Sequence, residues 1–238
     1  MNRCNALHGA IILILWNKSA LHLGIIRNML EIVTLVLGPV QTNAYLAADG
    51  EAQEAVVIDP AWDGELIVKE AVKQGWKIGQ VWVTHAHFDH IGGAAAVLRG
   101  CRPTPEVALH SEDVPLWQKK GGAMLFGMHI DAPPQPKVAL VHGQALRVGK
   151  YAFEVRHTPG HTPGHVVFYC SGEEVAFCGD VIFRGGIGRT DLPGGDYETL
   201  ITSIREQIFS LPEKTRLLSG HGPETTAGIE KVYNPFFE

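Results

Sequence analysis

Four metal-ligating side chains fall within six residues at His85-Ala86-His87-Phe88-Asp89-His90. The cluster follows the apolar run Val81-Trp82-Val83-Thr84 and precedes a helix-forming stretch that begins near Ile91. It therefore reads as a loop at the carboxyl end of a buried strand. Crowded this closely, three imidazoles and a carboxylate repel one another or go unpaired unless a cation holds them. In an extended segment His85 and His87 project to the same side and can share one ion. Asp89 and His90, at the start of the helix, turn another way and suit a second ion. Imidazole and carboxylate donors fit Zn, Fe or Mn. Any fold for this chain must then bring further ligands to this loop.

The rest of the pattern supplies such a scaffold. Strands are expected over 32–37 and, after a Gly38-Pro39 turn, over 43–48. A third covers 55–58 and ends at Asp59-Pro60. Asp63 is expected to cap an amphipathic helix carrying Leu66, Ile67, Glu70 and Ala71 and ended by Gly75. A strand over 81–84 feeds the histidine cluster, and a small-residue helix over 91–99 is closed by Gly100. The segment 103–136 reads as irregular, with one helix over 114–120, and is expected to cover or flank the site. Strands then follow over 138–141, 145–148, 152–156, 166–170 and 175–178, and a helix over 196–209. A last strand over 215–218 and a helix over 224–232 complete the chain. Strands then helices, twice over, predict two βα layers packed together in one domain spanning 29–238.

Three more candidate ligands stand where these strands stop. His161 lies in the turn Thr158-Pro159-Gly160-His161-Thr162-Pro163-Gly164-His165. Asp180 follows Ala176-Phe177-Cys178-Gly179, and His221 lies in Ser219-Gly220-His221-Gly222-Pro223. Rigid elements present chemistry at such ends. His8, His22, His110, His129 and His142 lack this context and read as structural or incidental. His165 is a candidate for supporting a ligand or touching substrate, and His157 is ambiguous.

A net charge of −5 without Lys/Arg runs gives no electrostatic case for nucleic acid or an anionic membrane as partner. Cys4, Cys101, Cys170 and Cys178 are widely spaced without a C-x-x-C pair, and read as buried reduced thiols of a cytoplasmic protein. The apolar run 10–16 is too short to span a bilayer and is followed by no small-x-small cleavage site. Residues 1–28 are therefore expected to be a mispredicted start or a dispensable N-terminal extension, with Met29 directly before the first strand of the domain.

The stretch Thr84 to His90, together with Gly160-His161, Gly179-Asp180 and Gly220-His221, resembles the metal motifs of the metallo-β-lactamase-fold hydrolases. The resemblance covers essentially all of 29–238. Gly179-Asp180-Val181-Ile182-Phe183, Gly188-Arg189-Thr190-Asp191 and the tail with Asn234-Pro235-Phe236 look like the short, single-domain bacterial glyoxalase II type. That likeness implies an α/β fold, the four-layer αβ/βα sandwich, with the site on its rim. It implies two divalent ions, zinc foremost, with His85, His87 and His161 on one ion. Asp89, His90 and His221 would hold the other, with Asp180 bridging. The implied reaction is hydrolysis of a glutathione thioester, such as S-(2-hydroxyacyl)glutathione, to a 2-hydroxy acid and glutathione. Asp180 and Asp89 would act in catalysis, Asp89 also as a proton carrier. Arg189 would bind a carboxylate of the glutathione moiety bidentately, with Arg184 and Tyr233 as secondary candidates. The Gly188–Asp191 stretch is also similar to that of mono-iron persulfide dioxygenases, and lactonase and β-lactamase chemistry belong to the same fold.

Overall fold

Two six-stranded sheets carry the structure, a computed structural model that describes residues 29–237. The expected extension, with Cys4, His8 and His22, lies outside the described residues. The first sheet runs, in spatial as in chain order, through β1 (Glu31–Leu37), β2 (Thr42–Asp49), β3 (Glu54–Ile58), β4 (Lys77–Trp82), β5 (Glu106–His110) and β6 (Val138–Leu140). The second half forms β7 (Ala145–Val148), β8 (Tyr151–His157), β9 (Val166–Cys170) and β10 (Val175–Gly179). A small hairpin follows, β11 (Ile182–Phe183) and β12 (Gly186–Ile187), then β13 (Arg216–Ser219) and β14 (Thr225–Thr226). Their order in the second sheet is β14-β13-β10-β9-β8-β7. β3 to β6 pair in parallel, as do β10 and β13. Parallel neighbours need crossovers. These are α1 (Gly64–Gln74), then α2 (Phe88–Ile91) with α3 (Ala94–Gly100), α4 (Val114–Gln118) and α5 (Tyr197–Ser203), and α6 (Ala227–Tyr233) closes the chain.

Period-two alternation stacks these elements in four layers. In β2 and β3, Tyr45, Ala47, Val56 and Ile58 face inward and meet Phe153, Val155, Phe168 and Phe177 of the second sheet. Their neighbours Ala44, Leu46, Ala55 and Val57 face outward, under Ile67, Ile91 and Val97 of the first helical layer. On the far side Val167, Tyr169, Ala176 and Cys178 lie under Leu200, Ile204 and Ala227. Both faces of each sheet are thus covered, which is why β9 and β10 are buried at every residue. Trp82 anchors the inner layer, with ring centroids 5.0 Å from Phe153 and 5.2 Å from Phe168. Each such buried aromatic contributes roughly 2–3 kcal/mol of apolar burial. The αβ/βα sandwich expected from the sequence is the fold observed.

Several boundaries differ from the sequence expectation. β4 begins at Lys77 and stops at Trp82, so Val83 and Thr84 lead out of the sheet into the loop. The helix expected over 91–99 is two helices, because the Gly93 N–H bonds the Pro60 carbonyl at 2.9 Å instead of continuing the ladder. Gly100 is still helical, and Cys101 ends the helix in extended backbone. Asp63 holds the N-cap position of α1 but is left-handed, with φ 51°, and its side chain caps nothing. Within the segment read as irregular, β5 forms and pairs with β4 and β6. The helix expected over 196–209 turns from α into a π-helical turn at Ile204–Ile208. Cys101, Cys170 and Cys178 are buried free thiols, and burial pushes all three upward in pKa.

Candidate metal centre

The ligand-type side chains come from chain segments gathered at one edge of the sandwich. The exit from β4 carries His85 and His87, α2 carries Asp89 and His90, and the β8–β9 turn carries His161. Asp180 follows β10 and His221 follows β13. Backbone bonds stitch these ends together: Val166 N–H to the Thr84 carbonyl at 2.8 Å, Asn43 N–H to Gly220 at 2.7 Å, and Gly220 N–H to Gly179 at 2.7 Å. Two glycines are required by crowding. A Cβ on Gly179, at φ +49°, would run into Thr84 and His165, and one on Gly220 would run into the Asp180 carboxylate and the His90 ring.

Seven side chains form two groups. In the first, His161 Nε2 lies 2.9 Å from His87 Nδ1 and 3.2 Å from His85 Nε2. In the second, Asp89 Oδ2 lies 3.1 Å from His221 Nε2 and 3.4 Å from His90 Nε2. Within each group the donor atoms lie inside 4.8 Å of one another. Asp180 stands between them. Its Oδ1 is 3.3 Å from His90 Nε2, while its Oδ2 is 3.7 Å from His161 Nε2 and 3.6 Å from His221 Nε2.

Hydrogen bonds fix two ring tautomers. His161 Nδ1 lies 2.7 Å from the Arg189 carbonyl, which can only accept, so the proton sits on Nδ1 and Nε2 offers its lone pair inward. His90 Nδ1 lies 2.9 Å from Asp59 Oδ2 and donates in the same way, aiming Nε2 at Asp180. Asp59 is buried and also accepts from Thr84 N–H and Thr84 Oγ1, both at 2.7 Å. Its oxygens are thereby engaged, so its place beside His85 and His90 is that of a support. Asp113 accepts from Ala86 N–H at 2.8 Å, Thr162 Oγ1 at 2.9 Å and Gly164 N–H at 2.7 Å, locking the His85 loop to the His161 turn. Thr42 Oγ1 donates to Asp89 Oδ2 at 2.9 Å. His165, ambiguous in sequence, accepts from the Asp180 N–H at 3.1 Å and stacks on His85, so it positions the site's carboxylate from behind.

Charge separates the groups. Burial and the neighbouring histidines hold His85 well below the ordinary imidazole range; burial and His161 take His87 down to about 3. Burial likewise lowers His161. For His90 burial is outweighed by Asp89, Asp180 and Asp59, which raise it well above the ordinary value. His221 is raised despite burial by its hydrogen bond to Asp89 and by Asp180. Burial opposes ionisation of Asp89, yet His90 and His221 hold it at about 2, and the same histidines with His161 hold Asp180 well below the carboxylate range.

A divalent ion fits each group. His90 Nε2 and Asp180 Oδ1 are fully buried and face each other at 3.3 Å without a well-formed hydrogen bond to each other or to any other group. The His161 lone pair faces two other ring nitrogens, which one cation satisfies and hydrogen bonding leaves crowded. The donor set therefore suits a binuclear metal centre.

Residues 37–221 match the family model described as the metallo-beta-lactamase superfamily. The chain belongs to this superfamily. It is a metallo-hydrolase by that membership and by its relatives. It is 40% identical over 204 residues to the "probable metallo-hydrolase YqgX" of Bacillus subtilis, covering 84% of this chain and 94% of the relative. It is 39% identical over 198 residues to the "hydroxyacylglutathione hydrolase GloC" of Haemophilus influenzae, covering 82% and 92%. Among solved structures it is similar to the BLEG-1 B3 metallo-beta-lactamase, with TM-score 0.81, 40% identity and coverage of 87% and 99%. TTHA1623 in a di-iron-bound form gives TM-score 0.77 and 41% identity over 85% and 98% of the two chains. ETHE1 from Myxococcus xanthus gives 0.72 and 26% over 86% and 83%.

Within this metallo-beta-lactamase frame, Arg189 is the sequence candidate that the site does not gather in. Its guanidinium is half exposed and bound bidentately to Asp191, both contacts 2.7 Å, while its carbonyl serves His161. Arg184 lies on the β11–β12 hairpin, whose Phe183 ring sits 6.1 Å from His221, and the Tyr233 side chain is exposed. Sequence reasoning missed Thr42, Asp59 and Asp113. Asp59 had a signal, a carboxylate at a strand end before proline; Thr42 and Asp113 had none. Among the described residues no helix is long and apolar enough to cross a membrane.

Proposed function

We propose that this chain hydrolyses a thioester of the S-(2-hydroxyacyl)glutathione class, releasing a 2-hydroxy acid and glutathione. The observation that carries the proposal is the complete pair of triads joined through Asp180. When bound, two divalent ions supply hydroxide at neutral pH and an electrophile for the substrate carbonyl. His85, His87 and His161 would hold one ion and Asp89, His90 and His221 the other, with Asp180 reaching both. Asp59 and the Arg189 carbonyl keep the Nε2 atoms of His90 and His161 aimed inward. Asp89 is kept ionised by His90 and His221 and steadied by Thr42, which keeps its carboxylate ready to hold an ion. A thiolate leaves without protonation, so a thioester makes no demand on this site for a dedicated general acid. Arg189 is poised to exchange Asp191 for a substrate carboxylate, which would supply selectivity for a glutathione-like group. The relative named hydroxyacylglutathione hydrolase supports this substrate class. In this reading the partner is a small molecule, not a nucleic acid or a membrane, and the chain works in the cytoplasm.

One-iron persulfide dioxygenation is the competing reading, drawn from the Gly188–Asp191 stretch. It leaves the second triad of Asp89, His90 and His221 without a purpose. Elemental analysis combined with a hydrolysis assay on S-D-lactoylglutathione separates the two. Two ions per chain with turnover are expected. One iron per chain with oxygen uptake on glutathione persulfide overturns the hydrolase assignment. Zinc is the expected metal, and analysis of the protein as isolated distinguishes it from iron and manganese.

A further inference from the structure

Soluble surfaces rarely present several large apolar side chains in a row. Among the described residues one run of three does so: Met124, Leu125 and Phe126 are 68%, 71% and 42% exposed. The run ends the 3-10 segment Lys120–Phe126, which rests on the loop of the metal centre. A Cβ on Gly121, at φ +64°, would run into the His87 carbonyl carbon and the Phe88 nitrogen, so the approach needs glycine. The Phe126 ring lies 5.2 Å from that of Phe88, the residue between the ligand-type His87 and Asp89. Trp62 meets the Phe88 ring edge-on at 6.2 Å and packs close to Gly38 of the β1–β2 turn. An apolar surface thus flanks the centre on the side that carries His87 and Asp89. The metal chemistry itself makes no use of it.

We propose, on the thioesterase reading of this centre, that Met124, Leu125 and Phe126 form a wall that receives the acyl side chain of the substrate. Hydrolysis requires the thioester carbonyl at the metal pair. Its carbon carries the acyl group on one side and the glutathione sulfur on the other. The glutathione end has a polar contact at Arg189, on the segment whose carbonyl holds His161. The acyl end carries no charge, and an apolar surface beside His87 suits it. Leu125 and Met124 are open in the free chain, so covering them with an apolar group removes area from water on both partners. A lactoyl methyl covers little of such a wall, whereas a phenyl group covers much more. The wall therefore narrows the substrate class to 2-hydroxyacyl thioesters with a large apolar side chain.

Hydrolysis of S-D-mandeloylglutathione and S-D-lactoylglutathione by the metal-loaded full chain tests this, because the two differ only in phenyl against methyl. Each rate is corrected for the hydrolysis of that ester by hydroxide alone. The wild type is compared with the double variant Met124→Ser, Leu125→Ser. Both side chains are exposed, so the variant should match the wild type in circular dichroism and Tm. In the wild type, kcat/KM for the mandeloyl ester should exceed that for the lactoyl ester by about tenfold. In the variant that ratio should fall to about twofold or less. A wild-type ratio near one, or a variant that keeps the wild-type ratio, overturns the wall and leaves the thioesterase reading standing. A chain that cleaves neither ester removes that reading and the wall with it. Sedimentation of both proteins covers the competing occupant, a second copy of this chain. A wild-type dimer that becomes a monomer in the variant, with the ratio unchanged, also overturns the proposal.

Discussion

The two triads of the centre are built from similar donors yet differ in what surrounds them. His85, His87 and His161 are all buried, and their imidazoles are held neutral by burial and by one another. The second triad includes a carboxylate, its histidines are raised, and the His221 side chain is 29% exposed. The first triad is thus a preformed set of lone pairs. The second, without metal, is an ion-pair network that must give up protons to bind a cation. The difference implies that two ions would enter on different terms, with the Asp180 carboxylate standing between their sites.

Breaking each triad in turn tests this asymmetry. His85→Ala removes a fully buried ligand whose place no solvent can take. It should cost about a thousandfold in kcat/KM, roughly 4 kcal/mol of transition-state stabilisation. His221→Ala opens an edge where water can substitute, so a loss of about 10- to 100-fold is expected, with the first ion retained. Steady-state kinetics and metal content measured on both variants would show the order. Equal losses, or loss of both ions in His221→Ala, would remove the distinction.

Acid should sharpen the same contrast. Raised pKa values at His90 and His221 mean that protons compete with the cation at higher pH. Lowering the pH from 8 to 6 should therefore weaken the second ion by about tenfold per unit for each proton displaced. The first ion should be nearly insensitive in that window, because His87 falls to about 3 and its partners are also lowered. Calorimetric zinc titrations at three pH values would report the two steps. Identical pH slopes for both steps would contradict the charge assignment.

The smallest effect is expected away from the triads. Arg189→Ala removes an exposed guanidinium tied to Asp191 and leaves the carbonyl that holds His161. Turnover and Tm should be unchanged, while KM for S-D-lactoylglutathione rises about tenfold through loss of uniform binding. An unaltered KM would detach Arg189 from the substrate.

Most of the centre was legible because its signal is local: four donors in six residues can be read without knowing the fold. His161, Asp180 and His221 were legible because each follows a strand and a glycine. The supports were hidden because they come from distant segments. Asp59 reaches Thr84 and His90 across 25 and 31 positions, and Asp113 reaches Ala86 across 27. β5 was missed because Pro103 and Pro105 precede it, and only pairing with β4 reveals its short apolar run as a strand. The helix after the cluster splits for a comparable reason, since the Pro60 carbonyl that captures Gly93 N–H lies on another strand's exit.

The central claim is that Asp180 joins two metal triads into one hydrolytic centre. Metal content and S-D-lactoylglutathione turnover of Asp180→Ala, measured beside the wild type, test it most directly. The account predicts two ions per chain in the wild type, and loss of both the metal pair and the activity in the variant. A variant that keeps two ions and full turnover would contradict it.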